Sequence, residues 1–190
     1  MNSTSSVFTN GDSGNHNDIA IDSNGKVHIC TFQADGQNLY YSTNATGSWV
    51  TNAVDSQGNV GAYCSIAIDS NDGLHLSYHK SSSNIPKLRY AYKASGSSSW
   101  ATPVTVDSAG GKFTSIAIDS NDKPHIVYRD GGSYGGDLAY AEKTSGSWSL
   151  NSPLLNAGDV TLTSIAIDSD DHIHIAYYDS NNNDMDYYTN

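Results

Sequence analysis

Four short apolar runs of one design recur along the chain: Ile19-Ala20-Ile21-Asp22, Ile66-Ala67-Ile68-Asp69, Ile116-Ala117-Ile118-Asp119 and Ile165-Ala166-Ile167-Asp168. In the last three a serine precedes the run, so both alternating sets, Ser/Ala and Ile/Ile, are small or apolar. Such a strand is predicted to be buried on both faces, where a sandwich strand would keep one polar face. Turn residues follow each run, most clearly Asn24-Gly25, and favour a tight hairpin. A His-led strand comes next, as in His125-Ile126-Val127-Tyr128, and then a Leu-x-Tyr strand. Leu39 and Tyr41, Leu88 and Tyr90, and Leu138 and Tyr140 mark that third strand, with Met185 and Tyr187 in the last unit. A Gly-Ser turn then leads to a fourth strand opened by Trp49, Trp100 or Trp148. No segment carries helical spacing of apolar residues over three turns, and no run approaches the ~20 apolar residues of a membrane-spanning helix.

The aspartates that close the runs, Asp22, Asp69, Asp119 and Asp168, lie 47, 50 and 49 residues apart. Four antiparallel strands repeated at that period are the pattern of a β-propeller blade. The predicted fold is therefore all-β, a four-bladed propeller in one domain over 1–190. Its blades run over 11–54, 55–106, 107–155 and 156–190 plus 3–10. The N-terminal stretch Asn2–Asn10 aligns with the turn and fourth strand at Asn44–Asn52. It is accordingly expected to complete the last blade and close the circle, which covers the end surfaces of the array. The same strand exchange serves a second geometry, in which each chain is half of an eight-bladed ring formed by a dimer.

Composition narrows the partners. Thirteen Tyr and seventeen Gly suit short strands joined by turns. The net charge is −11, and the nine Lys and Arg are scattered singly, so there is no basic stripe for nucleic acid or an anionic membrane. The start, MNSTSSVFTN, shows no signal peptide, while the composition favours an extracellular or surface setting. Cys30 and Cys64, at different places in the repeat, are expected to be buried free thiols. A monomer or small homo-oligomer is expected.

The units resemble the propeller repeats of bacterial surface and lectin-like proteins over nearly the whole chain. The turns Thr46-Gly47-Ser48-Trp49 and Ser145-Gly146-Ser147-Trp148 resemble the Asp-box of sialidase-type propellers, though they lack its Asp. The blade count is similar to that of hemopexin-like and tachylectin-like folds. Those resemblances imply ligand or ion binding along the axis or between blades.

Each candidate chemistry competes with a structural role. His28, His75, His125 and His174 could hold a metal, but each stands a few residues after the repeat's Asp. A hydrogen bond to Asp22, Asp69, Asp119 or Asp168 within the same blade explains fourfold recurrence without a ligand. No cofactor is expected; a channel- or turn-bound calcium would use turns such as Asp69–Gly73, yet the single glutamate, Glu142, is not placed to close a calcium loop. Sialidase-type chemistry implies an arginine cluster, and only Arg89 and Arg129 occur. A glycosidase needs two carboxylates, which nineteen Asp leave open.

Positions that differ between blades are more informative. Antiparallel pairing puts the starts of first strands and the ends of second strands on one rim. The starts are His16, Tyr63, Phe113 and Leu162; the ends include Phe32, His79, Arg129 and Tyr178. Asp130, Tyr134 and Asp179 lie just beyond. Aromatic, carboxylate and Arg side chains on one edge suit stacking on sugars and bonding to hydroxyls, although the same rings could simply close the core. The expectation from sequence is a non-enzymatic module that recognises a glycan or cell-surface ligand through His16, Tyr63, His79, Phe113, Arg129, Asp130, Tyr134, Tyr178 and Asp179. A structural assembly propeller and a glycan-active hydrolase or lyase are the alternatives.

Overall fold

The computed structural model describes residues 4–82, 85–131, 136–155 and 158–190. The first sheet holds β1 (Ser13–Ile21), β2 (Val27–Gln33), β3 (Asn38–Thr43) and β4 (Val50–Asp55). The second holds β5 (Asn59–Ile68), β6 (Leu74–Ser82), β7 (Ile85–Lys93) and β8 (Val104–Asp107). The third holds β9 (Gly110–Ile118), β10 (Pro124–Asp130), β11 (Leu138–Thr144) and β12 (Ser147–Leu155). The fourth holds β13 (Val160–Ile167), β14 (Ile173–Asp179) and β15 (Asp184–Thr189). Neighbours in each sheet are consecutive and antiparallel, and the described residues contain no helix. This is a four-bladed β-propeller, with the first strands of successive blades packed against one another.

The turn after each first strand explains the repeated Asp. Asp69 Oδ1 accepts the backbone N–H groups of Asn71 and Gly73, and the other blades repeat the arrangement. Asp72, Asp122 and Asp171 sit in the left-handed region at φ of 62°, 60° and 64°, which Asp tolerates; Gly25 fills that place in blade 1. These aspartates also tie blades together. Ser23 donates its N–H and hydroxyl to the two carboxylate oxygens of Asp72, and Ser70 and Ser120 do the same to Asp122 and Asp171.

Apolar packing lies between blades. One cluster joins blades 1 and 2 around Leu39, Tyr41, Ile66 and Leu76; a second joins blades 2 and 3 around Leu88, Tyr90, Ile116 and Ile126. The third joins blades 3 and 4 around Leu138, Tyr140, Ile165 and Ile175. Among the described residues no cluster joins blade 4 to blade 1.

Two expectations are corrected here. The N-terminal stretch does not complete the last blade, whose sheet keeps three strands. Phe8 instead packs on Tyr40 with ring centroids 4.7 Å apart, and the Val7 carbonyl accepts the Thr51 hydroxyl, so this stretch lies on blade 1. Among the described residues no strand pairing joins it to blade 4. The cysteines are not free thiols: Cys30 on β2 and Cys64 on β5 form a disulfide across the first blade boundary, with Cα atoms 6.3 Å apart. Their different places in the repeat are what bring them opposite one another.

Candidate functional site

The starts of the four first strands share one irregularity. His16, Tyr63, Phe113 and Leu162 have φ of 48°, 56°, 53° and 53°, in the left-handed region that non-glycine residues seldom occupy. Each falls within a register shift between its strand and the second strand of the blade. A β-bulge of this kind re-aims a side chain, and four at one place turn four side chains off their sheets.

The result is a row along the rim. The His16 and Tyr63 rings lie 4.4 Å apart and the Tyr63 and Phe113 rings 4.6 Å apart, tilted by 51° and 52°. Leu162, 72% exposed, continues the line, and with Thr114 and Thr163 these residues border a shallow cavity of about 200 Å3. Threonines lock the row from below. Thr114 donates its hydroxyl to the Tyr63 carbonyl at 3.1 Å, and Thr163 donates to the Phe113 carbonyl. In blade 2 that threonine position is Cys64, so the disulfide makes the link. Four residues in a costly backbone conformation, Tyr63 and Phe113 among them held by cross-blade bonds, keep three aromatic rings and Leu162 at the surface. Strain of this sort, roughly 1–3 kcal/mol per residue, persists where surrounding structure imposes it and concentrates at binding sites.

The second-strand ends behave differently. His79 lies beneath the row, edge-on to Tyr63 at 5.9 Å, with only 7% of its surface exposed. Burial, aided by nearby Lys112 and His16, lowers its pKa to about 4, so the ring is neutral near pH 7. Partial burial also lowers the pKa of His16. Phe32 extends the row, 6.3 Å from His16. Arg129 is held in an ion pair with Asp159 at 2.6 Å. Asp130 accepts from the Asp137 N–H and the Ser152 hydroxyl, and Asp179 from Asn181 and Asn182, so both organise turns. Tyr178 donates to the Asn183 side chain. Tyr134 lies outside the described residues. Of the nine residues nominated from sequence, the structure gathers His16, Tyr63, Phe113 and His79, and leaves Arg129, Asp130, Tyr178 and Asp179 in local pairs.

The repeated histidines form a relay inside each blade. His75 Nδ1 lies 2.8 Å from the Tyr90 hydroxyl and its Nε2 3.0 Å from Asp69. His28 joins Tyr41 and Asp22, and His174 joins Tyr187 and Asp168, in the same way, while His125 bonds Tyr140 and keeps only a looser contact to Asp119 at 3.4 Å. In blade 2 a neutral His75 ring that donates from Nε2 to Asp69 and accepts from Tyr90 at Nδ1 satisfies all three groups. Burial pushes the Asp69 carboxyl up, but its bonds from His75, Gly73 and Asn71 outweigh this and hold it below the usual range. The single glutamate joins one relay, since the Tyr140 hydroxyl is also 3.2 Å from Glu142. Both arginines are engaged, Arg89 with Asp55 and Arg129 with Asp159.

No protein-family model matches the chain, and no curated protein does. Solved structures do match. The Hadza microbial sialidase Hz136 superposes with a TM-score of 0.70 at 9% identity, covering 93% of this chain and 44% of that one. A protein of unknown function from Dyadobacter fermentans gives 0.68 at 8% identity, covering 90% and 64%. The PL25 ulvan lyase, a polysaccharide lyase, gives 0.56 at 14%, covering 83% and 43%. The chain thus spans less than two thirds of each. At these identities the likeness establishes the fold. The expectation of a non-enzymatic recognition module is overturned by the solved structures that share this fold, among which are sialidases, trans-sialidases and a polysaccharide lyase, all glycan-active enzymes.

Proposed function

We propose that this chain is the sugar-contacting propeller of a glycan-active enzyme, with the rim row as its stacking platform. The observation that carries the reading is the row itself: His16, Tyr63 and Phe113 turned outward by bulges, neighbouring rings no more than 4.6 Å apart, beside an open cavity. Rings held this way cover the apolar face of a sugar with little loss of side-chain freedom on binding. Neutral His79 beneath them adds no charge to the platform. Lys112, whose charge reaches His79 beneath the row, is the cation on this strand available to a glycan bearing a carboxylate or sulfate. The disulfide suits an oxidising compartment, where extracellular glycans are met.

The test is a screen of neutral, sialylated and uronate-containing glycans for bond cleavage and for binding. Wild-type protein is expected to act on or bind at least one class, and Tyr63→Ala to lower kcat/KM or affinity by about tenfold. Full activity in both Tyr63→Ala and Phe113→Ala would show that the rim does not contact the glycan.

A further inference from the structure

Each blade presents the same two faces to its neighbours, and the two ends of the array present one each to solvent. Ile66, Ile116 and Ile165 are 5%, 6% and 8% exposed against the preceding blade, whereas the equivalent Ile19 is 59% exposed. At the other end, Tyr41, Tyr90 and Tyr140 are 5%, 3% and 8% exposed, but Tyr187 is 62% exposed. Leu39, Leu88 and Leu138 are fully buried, and Met185 in their place is 80% exposed. The aromatic locks divide likewise. Trp100 packs on Tyr41 and Trp148 on Tyr90, while among the described residues Trp49 has no aromatic neighbour and Tyr187 has no tryptophan.

The strand count is complementary as well. Phe8 touches Tyr40, and at the equivalent place in blade 2 Arg89 is touched by Asp55, the end of the preceding blade's fourth strand. The N-terminal stretch therefore lies where the last strand of a preceding blade belongs. The fourth sheet has three strands, and a cavity of about 360 Å3 opens over His125, Tyr140 and Glu142, bordered by Tyr188 and Asn190. That is the place where Trp100 and Trp148 sit over Tyr41 and Tyr90 in the inner blades.

We infer that a second copy of this chain occupies these ends. Its blade 1 docks on blade 4 through the interface already used three times within the chain: Ile19 and Ile21 of one copy cover Met185 and Tyr187 of the other. Trp49 packs on the other copy's Tyr187, and the stretch around Phe8 becomes the fourth strand beside β15. A head-to-tail contact either closes into a ring or continues as a filament. Two copies give eight blades, the top of the usual range of roughly 4 to 8, and three would exceed it, so the ring closes at two. One inner bond is missing from this contact. Ser169 stands where Ser23, Ser70 and Ser120 donate, but Gly25 offers no carboxylate.

This inference stands apart from the glycan reading and is tested without a ligand. Light scattering coupled to size exclusion, at micromolar protein, is expected to give twice the 20.2 kDa chain mass. Ile19→Asp and Tyr187→Asp, both at exposed positions, are expected to give folded monomers with unchanged circular dichroism. Gly25→Asp, at a backbone conformation already occupied by Asp72, Asp122 and Asp171 and with open space around it, is expected to tighten the dimer by about tenfold through Ser169. A wild-type monomer, a ladder of larger species, or a dimer indifferent to all three changes overturns the proposal.

Discussion

Tyr41 meets Trp100 edge-on, ring centroids 5.3 Å apart, across the boundary between the first and second blades. Tyr90 and Trp148 repeat the contact at 5.0 Å across the next. Trp100→Ala or Trp148→Ala is therefore expected to cost about 3 kcal/mol, seen as a lower denaturant midpoint. Trp49→Ala, made in the Ile19→Asp background to keep the protein monomeric, is expected to cost less than about 1 kcal/mol. Equal losses at all three sites would show that the tryptophans do not act across blade boundaries.

Tyr78 and Tyr128 make the second cross-blade contact. Their hydroxyls donate to the buried carboxylates of Asp55 and Asp107, each at 2.7 Å. Tyr78→Phe leaves Asp55 Oδ2 with only the longer contact from Arg89 at 3.5 Å, while Oδ1 keeps the Gln57 N–H. A loss of about 2 kcal/mol is expected in equilibrium unfolding, with the apolar packing preserved. No loss would mean that water replaces the hydroxyl.

The Cys30–Cys64 bridge closes a loop 34 residues in separation. The chain-entropy relation gives about 3–4 kcal/mol for a loop of this length. Thermal unfolding with and without reductant is expected to show that difference, and the Cys30→Ala, Cys64→Ala double variant to be insensitive to reductant. An unchanged melting temperature on reduction would show that packing alone holds the first two blades together.

Acid sensitivity is expected from His79. Its folded pKa of about 4 lies below the usual value of 6.5, so near pH 7 both folded and unfolded forms are neutral and the fold is at full strength. As pH falls below 6.5 the unfolded chain gains a proton that the folded one does not accept until about pH 4. Stability is therefore lost across that window, by about 3 kcal/mol in total. His79→Gln should flatten the stability profile between pH 6.5 and 4; an unaltered slope would place the acid response elsewhere.

The blade architecture was legible because it rests on local signals. The period of the IAID runs, the turn residues and the doubly apolar strands together allow few folds. The edge of the rim was legible for the same reason, since strand direction alone puts His16, Tyr63 and Phe113 together. Their left-handed backbone was not, because a bulge depends on how Asp18, Ser65 and Ser115 pair with the second strand, and no residue type announces it. The destinations of Arg129 and Asp130 were also hidden: both look free in sequence, and both find partners, Asp159 and Ser152, more than twenty residues away. The disulfide escaped because Cys30 and Cys64 break the repeat. The N-terminal stretch matched a fourth strand in sequence, but matching does not say whose blade it completes.

The rim platform is tested by aromatic-ring NMR of the folded protein titrated with a glycan that it cleaves or binds. Progressive shifts of the Tyr63 and Phe113 ring signals are expected, with His16 following. Shifts confined to residues far from that row, with Tyr63 and Phe113 unmoved at saturation, would contradict it.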